Sequence, residues 1–337
     1  MAITAKEIAR LAGVSRGTVD RALKDRPGIS DETKQKILEI AKQYEYKPNI
    51  IGKALVYSGK PIKVPVILNS IGNPFFDDVK AGISAARDEY SGYGFETELF
   101  EFKGYEPKKL IKLLDELPDG TSQLVLTPIC CKEVEERLRR LLKKGVRIVM
   151  LSSELEGLDG SVYVGCDYYK SGCVAGRLTG LLSNGSAKLY IMTGSAHHKG
   201  HAQRVEGIRS VIEKDYPQIE IVGVSESNDD DETAYSAMKN ALECHPELDF
   251  VYITAAGVKG TLHALKEHGS HARVCTFDDP PITRDALLGG EVLATICQQP
   301  FEQGYMAIKA LFESIILKNE PQSRICTDLT VKVDKSL

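Results

Sequence analysis

At 337 residues the chain exceeds what one core usually serves, so two or three folding units are expected. With 27% charged and 42% hydrophobic residues it is globular in composition, and no apolar run approaches the roughly 18 residues of a membrane span, which excludes a membrane-spanning helix. The net charge of −4 conceals an asymmetry: residues 1–60 hold 12 Lys and Arg against 7 Asp and Glu, and the remainder 31 against 40, so the amino end is the piece suited to a polyanion.

The opening MAITAKEIAR has no apolar core of signal-peptide length, so a cytoplasmic protein is expected. Thr4 and Glu7 form a capping box that starts a helix. Ile8, Ala12, Val14, Val19 and Ala22 are its apolar positions and those of a second helix; Gly13 lies between, where the chain must turn and a side chain would obstruct it. Ser15 caps the second helix. On that helix Val19, Ala22 and Leu23 face inward, while Arg16, Gly17, Asp20 and Arg21 recur on the other side. An ordinary hairpin with a solvated charged face would share the capping box alone. Two caps, a turn glycine and outward arginines in register point instead to a helix-turn-helix, whose arginines can each donate two bonds to guanine O6 and N7. Asp20 runs against this, as an anion on the face that approaches phosphates.

A third helix is expected from Ser30, with Ile37, Ile40, Ala41 and Tyr44 closing a three-helix core and Pro48 stopping it. This headpiece spans residues 1–47. Residues 48–61, bounded by Pro48 and Pro61 and containing Gly52 and Gly59, are too short to hold a helix alone in water. They read as a plain linker or as a hinge that becomes helical when bound.

From Val64 short apolar strands alternate with amphipathic helices, and residues 62–337 form the remaining domain. The strands are VPVILN, FETELFEF, QLVLTP, RIVML, SVYVG, AKLYIMTG, IEIVGVS, FVYIT, RVCTF and VLATI; helices include 75–90, 132–144, 168–182, 201–214, 231–243, 258–267 and 302–317. This is an α/β pattern implying parallel sheets covered on both faces. About ten strands are too many for one sheet of usual size, so two doubly wound lobes are expected. Ligands in such folds bind beyond the carboxyl ends of the strands, which directs attention to NSIGNPFF, TPICC, LSSE, GCDYY, TGSAHHKG, FDDPP and CQQPF. The eight cysteines form no Cys-x-x-Cys pair and several lie in apolar runs, so they read as reduced, buried small hydrophobes and not as metal ligands. No Gly-x-Ser-x-Gly, Walker or Gly-x-Gly-x-x-Gly loop is present, so neither an enzyme nor a bound cofactor is expected.

Across nearly its whole length the chain resembles the lactose-repressor (LacI/GalR) family. The resemblance is carried by AGVSRGTVDRAL, YKPNIIGKAL, NPFFDDVKAGI, QRVEGIRSVI, VCTFDD and ATICQQPFEQG. It implies a helix-turn-helix headpiece and a two-lobed, periplasmic-binding-protein-like effector domain. It also implies a homodimer or larger homo-oligomer acting as a repressor, bound to palindromic operator DNA, with its affinity set by a sugar or related metabolite. Arg16, Gly17 and Arg21 fall on the family's base-reading positions, and Thr4, Ser15, Thr18 and Asn49 on phosphate-binding ones. Leu55 matches the hinge leucine that wedges into the minor groove. Gly17 offers no side chain for base reading, Asp20 replaces a common serine, and Gly52 replaces a common alanine, costing a hinge helix about 1 kcal/mol.

The effector domain also resembles pentose-binding proteins, which implies ligand contacts at Asn73, Phe75, Phe76, Arg204, Asp278 and Gln298. Where those proteins place an Asp-Arg pair this chain has Ser152 and Ser153, and an amide is replaced around Thr254–Ala256, so a different or less hydroxylated ligand is expected. His197 and His198 read as cleft rim or solvated surface and not as a zinc site; Asp167 and Asn184 read as structural. A sugar-binding module or sugar-acting enzyme with a non-specific DNA-binding headpiece is the alternative function.

Overall fold

The computed structural model describes residues 5–23, 26–44 and 61–336, in two compact units. The smaller holds helices α1 (Ala5–Ala12), α2 (Arg16–Leu23) and α3 (Asp31–Gln43). Ile8, Ala9, Ala12, Val19, Ala22 and Ile37 make its core, with Val14, Leu23, Ile40 and Ala41 packed against it. Tyr44 does not join them. It caps α3 beyond the last helical turn and is exposed, so the apolar stripe ends at Ala41. Gly13 has φ +73° with open space where a Cβ would stand, so left-handed backbone and not crowding calls for glycine there. Ser15 and Ser30 cap as expected, accepting from Thr18 N at 3.1 Å and Thr33 N at 3.3 Å. Thr4, Asn49, Leu55 and all but Pro61 of the expected hinge, 48–61, lie outside the described residues.

The larger unit has two lobes, each built on a six-stranded sheet. Lobe 1 contains β1 (Ile62–Leu68), α4 (Phe75–Tyr90), β2 (Phe95–Glu101), α5 (Pro107–Asp115), β3 (Gln123–Leu126), α6 (Lys132–Lys143), β4 (Arg147–Leu151) and β5 (Val162–Gly165). Lobe 2 contains α7 (Tyr168–Leu182), β6 (Ser186–Thr193), α8 (Lys199–Asp215), β7 (Gln218–Glu226), α9 (Asp231–Cys244), β8 (Phe250–Ile253), α10 (Val258–Glu267), β9 (Arg273–Phe277), α11 (Pro281–Leu288) and β10 (Ala294–Cys297). The chain then returns to lobe 1 in α12 (Pro300–Phe312), adds β11 (Arg324–Cys326) beside β5, and ends with β12 (Thr330–Lys332) beside β10. The central strands are buried because helices cover both faces: β3, β8 and β10 are buried at every residue, Gln123 and Thr295 included.

The two sheets match the doubly wound expectation, with three differences. β12 pairs antiparallel with β10, so the second sheet is not wholly parallel. Neither β11 nor β12 was read from the sequence, since both are three-residue, partly exposed strands without an apolar run. The helix expected over 302–317 ends at Phe312 and passes into one π turn, Glu313–Leu317. The cysteines also divide: Cys166, Cys275 and Cys297 are buried, but Cys130, Cys244 and Cys326 are exposed, so the buried reading fails for those three. All eight are free thiols.

Two helix crossings fix the lobes. In lobe 1, α12 lies so close to α4 that a Cβ at Gly82 would overlap Phe301 O, and one at Gly304 would overlap Val79 O. Backbone cannot yield as a flexible side chain does, so Gly304→Val is expected to lower stability by at least the roughly 1–3 kcal/mol of an overpacked core. Urea unfolding of the variant checks this; an unchanged midpoint would contradict the packing. In lobe 2, Gly172 on α7 similarly admits the backbone of Arg204 on α8, and Gly207 admits Tyr169 O.

Candidate ligand cleft and DNA-reading helix

The cleft opens beyond the carboxyl ends of strands from both sheets and encloses about 810 Å³ of empty space, counting the open solvent at its mouth. Asn73, Phe75 and Phe76 enter from the start of α4, Ser152 from the end of β4, and Arg204 from α8. Asp278 and Gln298 follow β9 and β10. Ser153 is buried but does not line the cleft. Ser152 lines it yet turns its hydroxyl onto Gln303 Oε1 at 2.8 Å, so it offers a ligand little. Tyr105, Tyr168, His201 and Asp229 also line the cleft. Tyr105, beside Gly104, follows β2, and Asp229 follows β7. Their strand-end position alone was the available signal.

Arg204 is 2% exposed and lies between two rings, its guanidinium carbon 4.7 Å from the Tyr168 centroid and 4.0 Å from that of Phe277. Its Nη1 donates to Thr254 O at 2.6 Å and its Nε to Ser171 Oγ at 3.3 Å, whereas Nη2 has no partner. Asp278, at φ +57°, accepts from Gln298 Nε2 at 2.7 Å and from Gln298 N at 3.2 Å. Burial pushes its carboxyl up from the ordinary value, against the pull of the Arg204 charge and the Gln298 amide. Gln298 is held in turn by Gln303, which donates to Gln298 O at 2.9 Å, and by the Cys166 thiol, which donates to Oε1 at 3.1 Å.

His198 and His201, one helical turn apart at the start of α8, stack with centroids 4.2 Å apart. His198 is therefore interior and not rim, while His197 is exposed. Ser195 N donates to His201 Nδ1 at 2.8 Å, which places the His201 proton on Nε2. Burial, with the Arg204 charge adding, depresses His201 to about 3; burial, and then His201, hold His198 well below its ordinary value. Unfolded, each imidazole takes a proton near 6.5, so the neutral pair contributes fully above that pH and progressively less as pH falls toward 3. The loss is up to about 1.4 kcal/mol per pH unit per histidine. Stability of the wild type is thus expected to fall more steeply between pH 6.5 and 4.5 than that of His201→Asn, whose Oδ1 can still accept from Ser195. Parallel pH profiles in chemical denaturation would contradict this.

Asp229 clasps the lobes together. From lobe 2, at φ +57°, it accepts from Asn73 Nδ2 at 3.1 Å and from the Tyr105 hydroxyl, both in lobe 1, and from Ala256 N at 3.1 Å. Lys103 reaches Asp230 at 3.3 Å, Lys199 reaches Glu156 at 2.7 Å, and Cys130 N donates to His197 O at 2.9 Å. Ser152, Asp229 and Asp278, all non-glycine residues in left-handed backbone, line this one cleft, where strain is held by the surrounding packing. Asp167 caps α7 through Lys170 N at 2.9 Å, a structural role.

In the smaller unit Arg16, Gly17, Asp20 and Arg21 are exposed on α2 and Thr18 is half-buried. Ser15 Oγ and Thr18 Oγ1 lie 2.9 Å apart, so these two hydroxyls are mutually engaged at the start of the helix.

Residues 64–319 match the family described as periplasmic binding protein domain, and residues 4–49 match bacterial regulatory proteins, lacI family. The chain belongs to the LacI family. This LacI-family chain is a DNA-binding transcriptional regulator whose larger domain responds to a small ligand. It is 23% identical to catabolite control protein A of Priestia megaterium over 92% of each chain. It is 25% identical to the ribose operon repressor of Bacillus subtilis, over 97% of this chain and 96% of that one. Its fold is shared by a glucose-galactose binding protein from Geobacillus stearothermophilus, at a TM-score of 0.77 and 22% identity, over 82% of this chain and 99% of that one. Among the described residues of this LacI-family chain, no helix is long and apolar enough to cross a membrane.

Proposed function

We propose that this LacI-family regulator is a cytoplasmic repressor whose affinity for a palindromic operator is set by a sugar-like metabolite held between the two lobes. The observation that supports this most is the cleft itself. It has rings on several sides, polar groups from both lobes, and a buried guanidinium whose Nη2 has no partner in the protein. Asn73, Phe75, Phe76, Arg204, Asp278 and Gln298 are proposed as ligand contacts, and Ser152 as a support for Gln303. Ser153 falls outside that set. On the DNA side, Arg16 and Arg21 read bases beside the open Gly17, while Ser15 and Thr18 approach phosphates.

Two chains pair, placing their recognition helices on half-sites one turn of DNA apart. A ligand that favours one arrangement of the lobes shifts the equilibrium already held by the Asp229 clasp, and operator affinity changes by a coupling free energy of about 1–3 kcal/mol. Binding without turnover is the proposed chemistry: the two deepest carboxylates, Asp229 and Asp278, are committed to hydrogen bonds within the protein. A thermal-shift screen with pentoses, hexoses, polyols and sugar acids, followed by gel shifts with genomic fragments, tests the reading. A stabilising compound that leaves every protein–DNA complex unchanged would overturn the allosteric part. Mass spectrometry showing conversion of that compound would overturn the non-enzymatic part.

A further inference from the structure

Resting on that reading of the cleft as a sugar-like ligand's site, we propose that the ligand is a sugar acid, its carboxylate taken by Arg204 and a neighbouring hydroxyl by His198. A neutral sugar brings one donor with every hydroxyl and so needs acceptors around it. Each carboxylate that lines this cleft already accepts at least one bond from the protein itself. Asp278 is occupied by the Gln298 side-chain and backbone N–H groups, and Asp229 by Asn73, Tyr105 and Ala256 N. Asp231, at the mouth, accepts from Gly260 N at 3.2 Å. The hydroxyl of Ser152 faces Gln303.

Donors are in surplus. Arg204 Nη2 is buried without a partner, Asn73 Nδ2 bonds only Asp229, and the His201 tautomer carries its proton on Nε2. A carboxylate supplies two acceptor oxygens and no donor, and its bond to a guanidinium is about twice as strong as a neutral one. Tyr168 and Phe277 pack on the guanidinium, and its buried Nη2 finds no acceptor in the protein, so an acceptor brought by a ligand would satisfy it. One further buried polar atom remains to be paired. His198, 5% exposed and held neutral, has an unpaired Nδ1, which suits one hydroxyl beside the acid group.

Isothermal titration of the full chain with D-gluconate, D-gluconamide and D-glucose, and with D-ribonate and D-ribose, tests this. At least one acid should bind ten-fold or more tighter than its neutral partners, and Arg204→Gln should remove that preference. The amide comparison needs no variant, so it stands even if Arg204→Gln fails to fold. Equal or tighter binding of the amide or the aldose would overturn the assignment of a sugar acid while leaving the sugar-like reading in place. Binding of none of the five, with stabilisation by an unhydroxylated compound instead, would overturn both.

Discussion

Arg21→Ala is expected to abolish the defined operator footprint while leaving weak, salt-sensitive DNA binding. Arg21 is exposed on α2, on the face opposite the buried Val19 and Ala22, so its removal costs the headpiece core nothing. A guanidinium that pairs with guanine O6 and N7 is worth about 1–3 kcal/mol of discrimination. In the proposed dimer it would be lost twice, so specific affinity should fall by one to several orders of magnitude. Gly17 sharpens the effect, since it presents no side chain that could share the reading. Arg21→Lys separates shape from charge: it keeps the phosphate attraction but not the two-pronged geometry, and should retain non-specific binding with reduced discrimination. A full footprint from Arg21→Ala would exclude α2 as the base-reading element.

The second large effect is at Arg204. Arg204→Ala should erase the thermal shift produced by the true ligand and leave operator binding measurable. Stability is also expected to drop, because truncation strands Thr254 O, removes the Nε donor from Ser171 Oγ and opens a cavity beside Tyr168 and Phe277. A ligand-induced shift equal to that of the wild type would remove Arg204 from the ligand site. Comparing the shift with the melting temperature of the unliganded variant separates lost ligand contact from lost packing.

The headpiece was legible because its signals are local: a cap, a turn glycine and an apolar period all act within a few residues. Tyr44 misled, since a period cannot show that the helix ends one residue too soon, and so did the reason given for Gly13, where backbone conformation and not crowding decides. The two lobes were legible because buried parallel strands are continuous apolar runs. The tail strands β11 and β12 were not, because each is specified by its neighbour in the sheet and not by its own three residues. In the cleft, strand-end placement drew attention to the loops holding Asn73, Ser152, Asp278 and Gln298. It could not tell that Ser152 would turn onto Gln303 or that Ser153 would miss the cleft, because the left-handed backbone at Ser152 and the packing around both are set by the tertiary fold. Tyr105 and Asp229 were invisible for a related reason: their importance lies in reaching across from opposite lobes, a relation between loops more than 120 residues apart. His198 was misplaced because a histidine pair in a polar loop reads as solvated, and only the fold shows α8 drawing it inward.

Footprinting of the full chain on genomic fragments at physiological ionic strength, with and without a compound that raises its melting temperature, tests the central claim most directly. Protection of a palindromic site whose half-sites lie one helical turn apart, gained or lost when the compound is added, is the expected result. No site-selective protection in either condition would contradict the account.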